Sequence, residues 1–167
     1  YFAVNTILMQ FLILAAFFLD AYAFSTEGVI GFTIGRKIKN SFLSVVKNSI
    51  QISFITALIV SVIYIIFFKQ IINIITDIEL LRFISYKHFL WIIIIPPIAS
   101  FCYQLDGIFI GASQTKDMRN AMIISVISFI VISTYLTKYF GNHGLWFSLM
   151  CFMILRSITL KFYFNKI

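Results

Sequence analysis

The sequence predicts an all-α, polytopic membrane helical bundle of about five transmembrane helices, and three observations carry that expectation. Of its 167 residues, 61% are apolar and only 11% are charged, against about 25% charged in soluble domains. Mean hydropathy is +1.00, more than a soluble core of this size absorbs. Apolar runs of span length alternate with short polar breaks, and since a span takes about 20 residues the chain accommodates about five in one bundle, a single domain over 1–167.

The first span runs from about Phe2 to Phe24, and its helical pattern continues through Thr26–Gly35 to Arg36, Lys37 and Lys39. A helix that long exceeds the ~30 Å hydrocarbon core and must tilt or project from it. The second span covers about Phe42–Phe68. Ile71–Lys87 mixes Ile and Leu with Asp77, Glu79, Arg82 and Lys87, a pattern suited to an interfacial helix. The third span, about His88–Gly111, contains Pro96–Pro97, where two missing backbone donors predict a kink or break. The fourth covers about Ala121–Tyr139 and the fifth about Leu145–Phe164, separated by the turn-rich Gly141–Asn142–His143–Gly144. The chain opens at Tyr1 inside an apolar run, without Met, basic n-region or cleavage site, and so reads as a piece of something longer.

Five spans put the two ends on opposite sides. Arg36, Lys37, Lys39, Lys47, Lys116, Arg119, Arg156, Lys161 and Lys166 fall on one side, and Lys69, Arg82, Lys87 and Lys138 on the other. The richer side is expected to be cytoplasmic, placing the C-terminus inside. The net charge of +7 does not imply nucleic acid, because the basic residues are scattered among loops with no cluster that could track a phosphate backbone. Cys102 and Cys151 sit in apolar sequence outside any metal-ligand spacing, and read as small core residues.

Enzyme readings find no support. The Gly-x-Gly-Asp context of intramembrane aspartyl proteases is absent, His88 and His143 lie far apart in sequence without metal-ligand spacing, and no Ser/His pairing falls within membrane depth. Movement of something across the membrane, or a structural role, remains, and no cofactor is expected.

Three carboxylates inside the apolar spans are the candidate site, because an intramembrane charge is costly and ordinarily faces a cavity, a partner or a proton path. Asp20 and Glu27 are seven residues apart, two turns along one helix face that continues into Gly31 and Gly35. Asp106 lies in Tyr103-Gln104-Leu105-Asp106-Gly107, where Tyr103, one turn earlier, is placed to donate its hydroxyl to the carboxylate. The alternative for Asp106 is a bond to a neighbouring helix that only fixes packing. Gly107 and Gly111 form a GxxxG pair that permits close backbone approach. Arg156 is the one clear basic residue inside a span. Snorkelling to the surface is its expected role, with pairing to an intramembrane carboxylate as the alternative. Ser49, Ser53 and Thr56 share a face of the second span, where hydroxyls more often bond backbone than substrate.

Several segments together resemble multidrug and toxic compound extrusion (MATE) transporters of the DNA-damage-inducible-F-like branch. Phe18-Leu19-Asp20-Ala21-Tyr22-Ala23-Phe24, with Glu27, Gly31 and Ile34-Gly35-Arg36, resembles the eighth helix of that branch. Leu105-Asp106-Gly107-Ile108-Phe109-Ile110-Gly111-Ala112 and Lys116-Asp117-Met118-Arg119-Asn120 resemble its tenth helix and the following loop. Gly141-Asn142-His143-Gly144-Leu145-Trp146 and Leu155-Arg156 are similar to its last turn and twelfth helix.

The resemblance implies the eighth to twelfth helices of a twelve-helix fold, most of a C-terminal lobe, with the N-terminal lobe and the seventh helix absent. It further implies part of a secondary active multidrug efflux antiporter in a bacterial inner membrane, exchanging H⁺ or Na⁺ for drug-like, often cationic, compounds. Asp106 matches an acidic position that binds the coupling cation in a related branch. The partners so implied are the lipid bilayer, a small organic substrate and the missing lobe, and the fragment alone is not expected to transport. The alternatives are a lipid-linked sugar flippase, which would favour a cationic cavity where these spans carry more acid than base, and a non-transporting membrane subunit.

Overall fold

The computed structural model describes residues 1–164, leaving aside the side chains of residues 39 and 40, so that Lys166 and the side chain of Lys39, both counted above, lie outside the described residues. The chain folds into six helices: α1 (Phe2–Gly35), α2 (Lys39–Ile75), α3 (Glu79–Lys87), α4 (Phe89–Gly111), α5 (Thr115–Phe140) and α6 (Asn142–Tyr163). All but α3 are long and apolar enough to cross a membrane.

The sequence reading of the elements holds with shifted ends. α1 runs unbroken through Thr26–Gly35, and α2 continues past Lys69 to Ile75, which leaves only Glu79–Lys87 as the short amphipathic helix. Lys47 lies on α2, and Arg156 lies inside a span, on α6, as the sequence reading has it. Two residues past the ends of α1 and α4 the chain enters the left-handed region, at Lys37 (φ 57°) and Ser113 (φ 59°). In each case the next amide reaches back across the turn, Ile38 to the Thr33 carbonyl and Gln114 to that of Phe109, which satisfies carbonyls the helix end would leave open.

Of the kink or break expected at Pro96 and Pro97, the break does not occur, because α4 passes through both. Pro97 supplies no donor for the Ile93 carbonyl one turn earlier, and α2 provides it: the Ser61 hydroxyl donates to Ile93 O at 2.8 Å. Ser100 in turn donates to the Pro97 carbonyl at 2.7 Å. Neighbouring hydroxyls re-satisfying a freed backbone group is how proline is tolerated inside membrane helices.

α4 is the centre of the bundle, packed by α1, α2 and α6 and touched lightly by α5, whereas α5 rests mainly on α6. The α1 stripe Val4, Leu8, Phe11, Ala15, Leu19 and Ala23 supplies most of its share of the core. It meets Ala57, Val60, Tyr64 and Phe68 of α2, Ile92, Ile95 and Ala99 of α4, and Trp146 of α6. Tyr64 keeps its polar end satisfied by donating to the Phe11 carbonyl at 2.6 Å, as a buried hydroxyl must.

Candidate functional site

The site begins where α1 and α4 touch backbone to backbone. A Cβ added to Gly107 would stand 2.5 Å from the Ala23 carbonyl oxygen, and one on Gly111 would stand 2.5 Å from that of Glu27. Only glycine fits at either place, and the GxxxG pair is therefore a contact surface. Gly31 joins it, its position facing the Gly111 carbonyl, while Gly35, expected on the same surface, has nothing near it. The pairs Ala23/Gly107 and Glu27/Gly111 share an offset of 84, so the two helices run parallel, and Asp20 lies within electrostatic reach of Tyr103. Glu27 sits at the very end of α4, half-buried at the mouth of the bundle.

Asp106 faces the other way from this contact, toward α6. Its Oδ2 meets Nη2 of Arg156 at 2.8 Å, with the two side chains only 18% and 16% exposed. Arg156 thus pairs with the carboxylate instead of snorkelling. The second carboxylate oxygen, Oδ1, and the guanidinium Nε are buried without a hydrogen-bond partner. Tyr103 does not supply one: its hydroxyl makes no bond to Asp106, whose one partner is the guanidinium. Asp20, half-buried on α1, lies within Coulombic reach of both Asp106 and Tyr103. Arg156 pairs with Asp106 alone, and Asp20 adds a second acidic group near that pair.

Gln104 is fully buried. Its Oε1 lies 2.9 Å from the Thr26 hydroxyl, which also faces the Tyr22 carbonyl at 2.8 Å, while its Nε2 has no partner. Thr26 was not singled out in the sequence, although a threonine on the apolar stripe of α1 is the kind of signal that reveals such a contact. The same Thr26 lines a groove of about 310 Å³ between α1 and α2 with Tyr22, Ser25, Asn48 and Ser49. Ser49 donates to its own helix at Val46, as hydroxyls in spans tend to do, and Ser53 is buried without a partner.

The opposite end of the bundle carries a second polar cluster. His88 and His143, distant in sequence, stack with ring centroids 4.3 Å apart, and Asn5, Asn142 and Trp146 bond in a chain beside them. No group of three or more metal-binding side chains occurs among the described residues. The cluster's signal in the sequence was the presence of lone amides, Asn5 and Asn142, bounding apolar spans.

A MatE family model matches residues 2–137. DNA damage-inducible protein F of Escherichia coli (strain K12) is 35% identical over 159 residues, 95% of this chain and 34% of that protein. The chain thus spans about a third of the length of the relative it matches. No solved structure matches it.

Proposed function

The chain belongs to the MatE family, and from that premise we propose that it is the C-terminal-lobe portion of a membrane exporter, its eighth to twelfth helices, in which Asp106 carries the coupling cation. The observation that supports this most is the Asp106–Arg156 pair. A carboxylate inside a membrane helix, with one oxygen held by a guanidinium and the other unpaired, is a place where binding or losing one positive charge changes how two helices hold together.

In this reading Arg156 neutralises Asp106 while the coupling ion is absent. A proton or Na⁺ arriving at the carboxylate weakens its hold on the guanidinium, and α6 loses its tie to α4. The helices then repack relative to the other lobe of the exporter, which exposes the substrate path to the other side. Asp20 adds negative charge that favours cation entry. Glu27, half-buried at the mouth, attracts cations toward the site, and Gln104 with Tyr103 lines the approach between Asp20 and Asp106. The substrate class is a small organic, often cationic, compound. The arginine- and lysine-rich side faces the cytoplasm, with the C-terminus inside, in a bacterial inner membrane.

The test is Asp106→Asn in the intact exporter, reconstituted in vesicles with an imposed cation gradient. Substrate movement driven by that gradient should be lost while insertion and abundance are retained. Gradient-driven movement at the wild-type rate would remove Asp106 from the coupling role.

A further inference from the structure

The polar cluster at the end of the bundle away from Asp106 is a directional hydrogen-bond relay whose two ends cannot be reversed. At one end the Trp146 indole Nε1, which can only donate, lies 3.1 Å from Asn5 Oδ1. That fixes the Asn5 amide, whose Nδ2 donates to Asn142 Oδ1 at 2.7 Å. Asn142 is fixed in turn: its Nδ2 donates back to Asn5 Oδ1 at 2.9 Å and faces His88 Nε2 at 3.0 Å. At the far end His88 Nδ1 lies 2.9 Å from the Ile84 carbonyl, which can only accept. His88 Nδ1 must therefore carry the proton and Nε2 must be the bare acceptor. The relay ties the start of α1 to the α3–α4 junction and the start of α6.

We propose that this relay is a proton-operated latch, in which a proton on Nε2 of His88 breaks one link of the chain and so loosens the start of α6 from its neighbours, the α3–α4 junction and the start of α1. A second proton on His88 sets N–H against the Asn142 amide N–H. Flipping Asn142 moves the conflict to Asn5, and flipping Asn5 moves it to the Trp146 indole. The conflict can be passed along but not removed, because the indole has no acceptor to offer. The latched form thus requires neutral His88, and by linkage acid favours release.

The surroundings of His88 agree with that requirement. It is 2% exposed, and burial holds its pKa below the usual imidazole range. The Ile84 carbonyl opposes that shift, while His143 and Lys87 add to it. From α6 the face of His143 stacks on it, from α1 the Tyr1 ring meets it edge-on, and from α3 Lys87 acts on it. Lys69 of α2 lies over the Tyr86 ring. His143 cannot relieve the conflict, since its Nδ1 already accepts from Trp91 Nε1 at 3.1 Å.

The test is nuclear magnetic resonance of the intact protein in lipid bilayers with ¹⁵N-labelled histidine, the His88 signals being identified by their loss in His88→Gln. At neutral pH the ring should be in the Nδ1–H tautomer, the less common one in free histidine; an Nε2–H tautomer overturns the relay. Trp146→Phe removes the donor-only end, so both amides become free to flip. The His88 titration midpoint should then rise by about one pH unit, the equivalent of one hydrogen bond. An unchanged midpoint in that variant also overturns the proposal. Below the midpoint, amide exchange in the first turn of α6, corrected for its intrinsic pH dependence, should speed up several-fold in the wild type. The same acceleration in His88→Gln would refute the latch.

Discussion

Replacing Arg156 with Met removes the guanidinium while keeping an unbranched side chain along α6, and so asks what the ion pair contributes. In the wild-type chain Asp106 has one oxygen on Arg156 at 2.8 Å and the other without a partner. The variant leaves a carboxylate with neither oxygen paired. Removing one partner of a buried pair costs about 3–5 kcal/mol, and a bare charge at the centre of a membrane helix costs roughly 2.5–3.5 kcal/mol. Asp106 stands five residues before Gly111, the end of α4, or roughly 7.5 Å at 1.5 Å per residue. It is therefore off the bilayer centre, and a loss of about 2–3 kcal/mol follows. The double variant Asp106→Leu/Arg156→Met removes both charges and should return to within about 1 kcal/mol of wild type. A double-mutant cycle on reversible unfolding of the intact protein in mixed detergent measures both numbers. Because the penalty belongs to the charged carboxylate, it should shrink in acid. An Arg156→Met variant within about 0.5 kcal/mol of wild type, or single losses that simply add in the double, would mean that the pair does not hold α4 to α6.

Other substitutions test separate parts of the argument. Gly107→Ala should cost about 1–3 kcal/mol by pushing α4 off the Ala23 carbonyl, whereas Gly28→Ala, with nothing near its Cβ position, should gain up to about 1 kcal/mol from helix propensity; thermal unfolding of the two variants decides it. Ser61→Ala strips the donor from the Ile93 carbonyl and should cost about 1 kcal/mol, and Ser61→Thr should recover most of it in the same assay. His88 is held below its ordinary value in the folded state, so the unfolded chain takes up the proton first and His88 destabilises the fold in acid, an effect absent well above about pH 6.5 that grows as pH falls through that value. The slope approaches 1.36 kcal/mol per pH unit at most, and in His88→Gln this component of the unfolding free energy measured against pH should vanish.

The spans were legible because composition leaves them no alternative: runs such as Phe42–Phe68 have nowhere to go but a bilayer or a packed core. The boundaries were less so, since Ile71–Ile75 is equally apolar whether it closes α2 or opens an interfacial helix. Pro96–Pro97 misled for a related reason. The rule that proline breaks a helix assumes no outside donor, and Ser61, 32 residues before the Ile93 carbonyl it bonds, supplies one. Gly107 and Gly111 were readable as a contact because their spacing alone specifies a face. Asp106 and Arg156 were each visible as costly charges, but their pairing joins residues 50 positions apart and depends on how α6 lies on α4. The local rule favoured Tyr103, one turn away, and the nonlocal partner won. Asn5 and His88 are likewise ordinary residues until α6 brings Asn142 between them.

The glycine contact between α1 and α4 also has a mechanical side. At Gly107 and Gly111 the two backbones meet with no side chain between them, whereas nearer the start of both helices Leu8, Phe11 and Leu19 pack with Ile92, Ile95 and Ala99, so the glycine end is where the pair has least room to slide. α5 by contrast touches α4 only lightly and rests on α6, so it is held to the bundle almost entirely through α6.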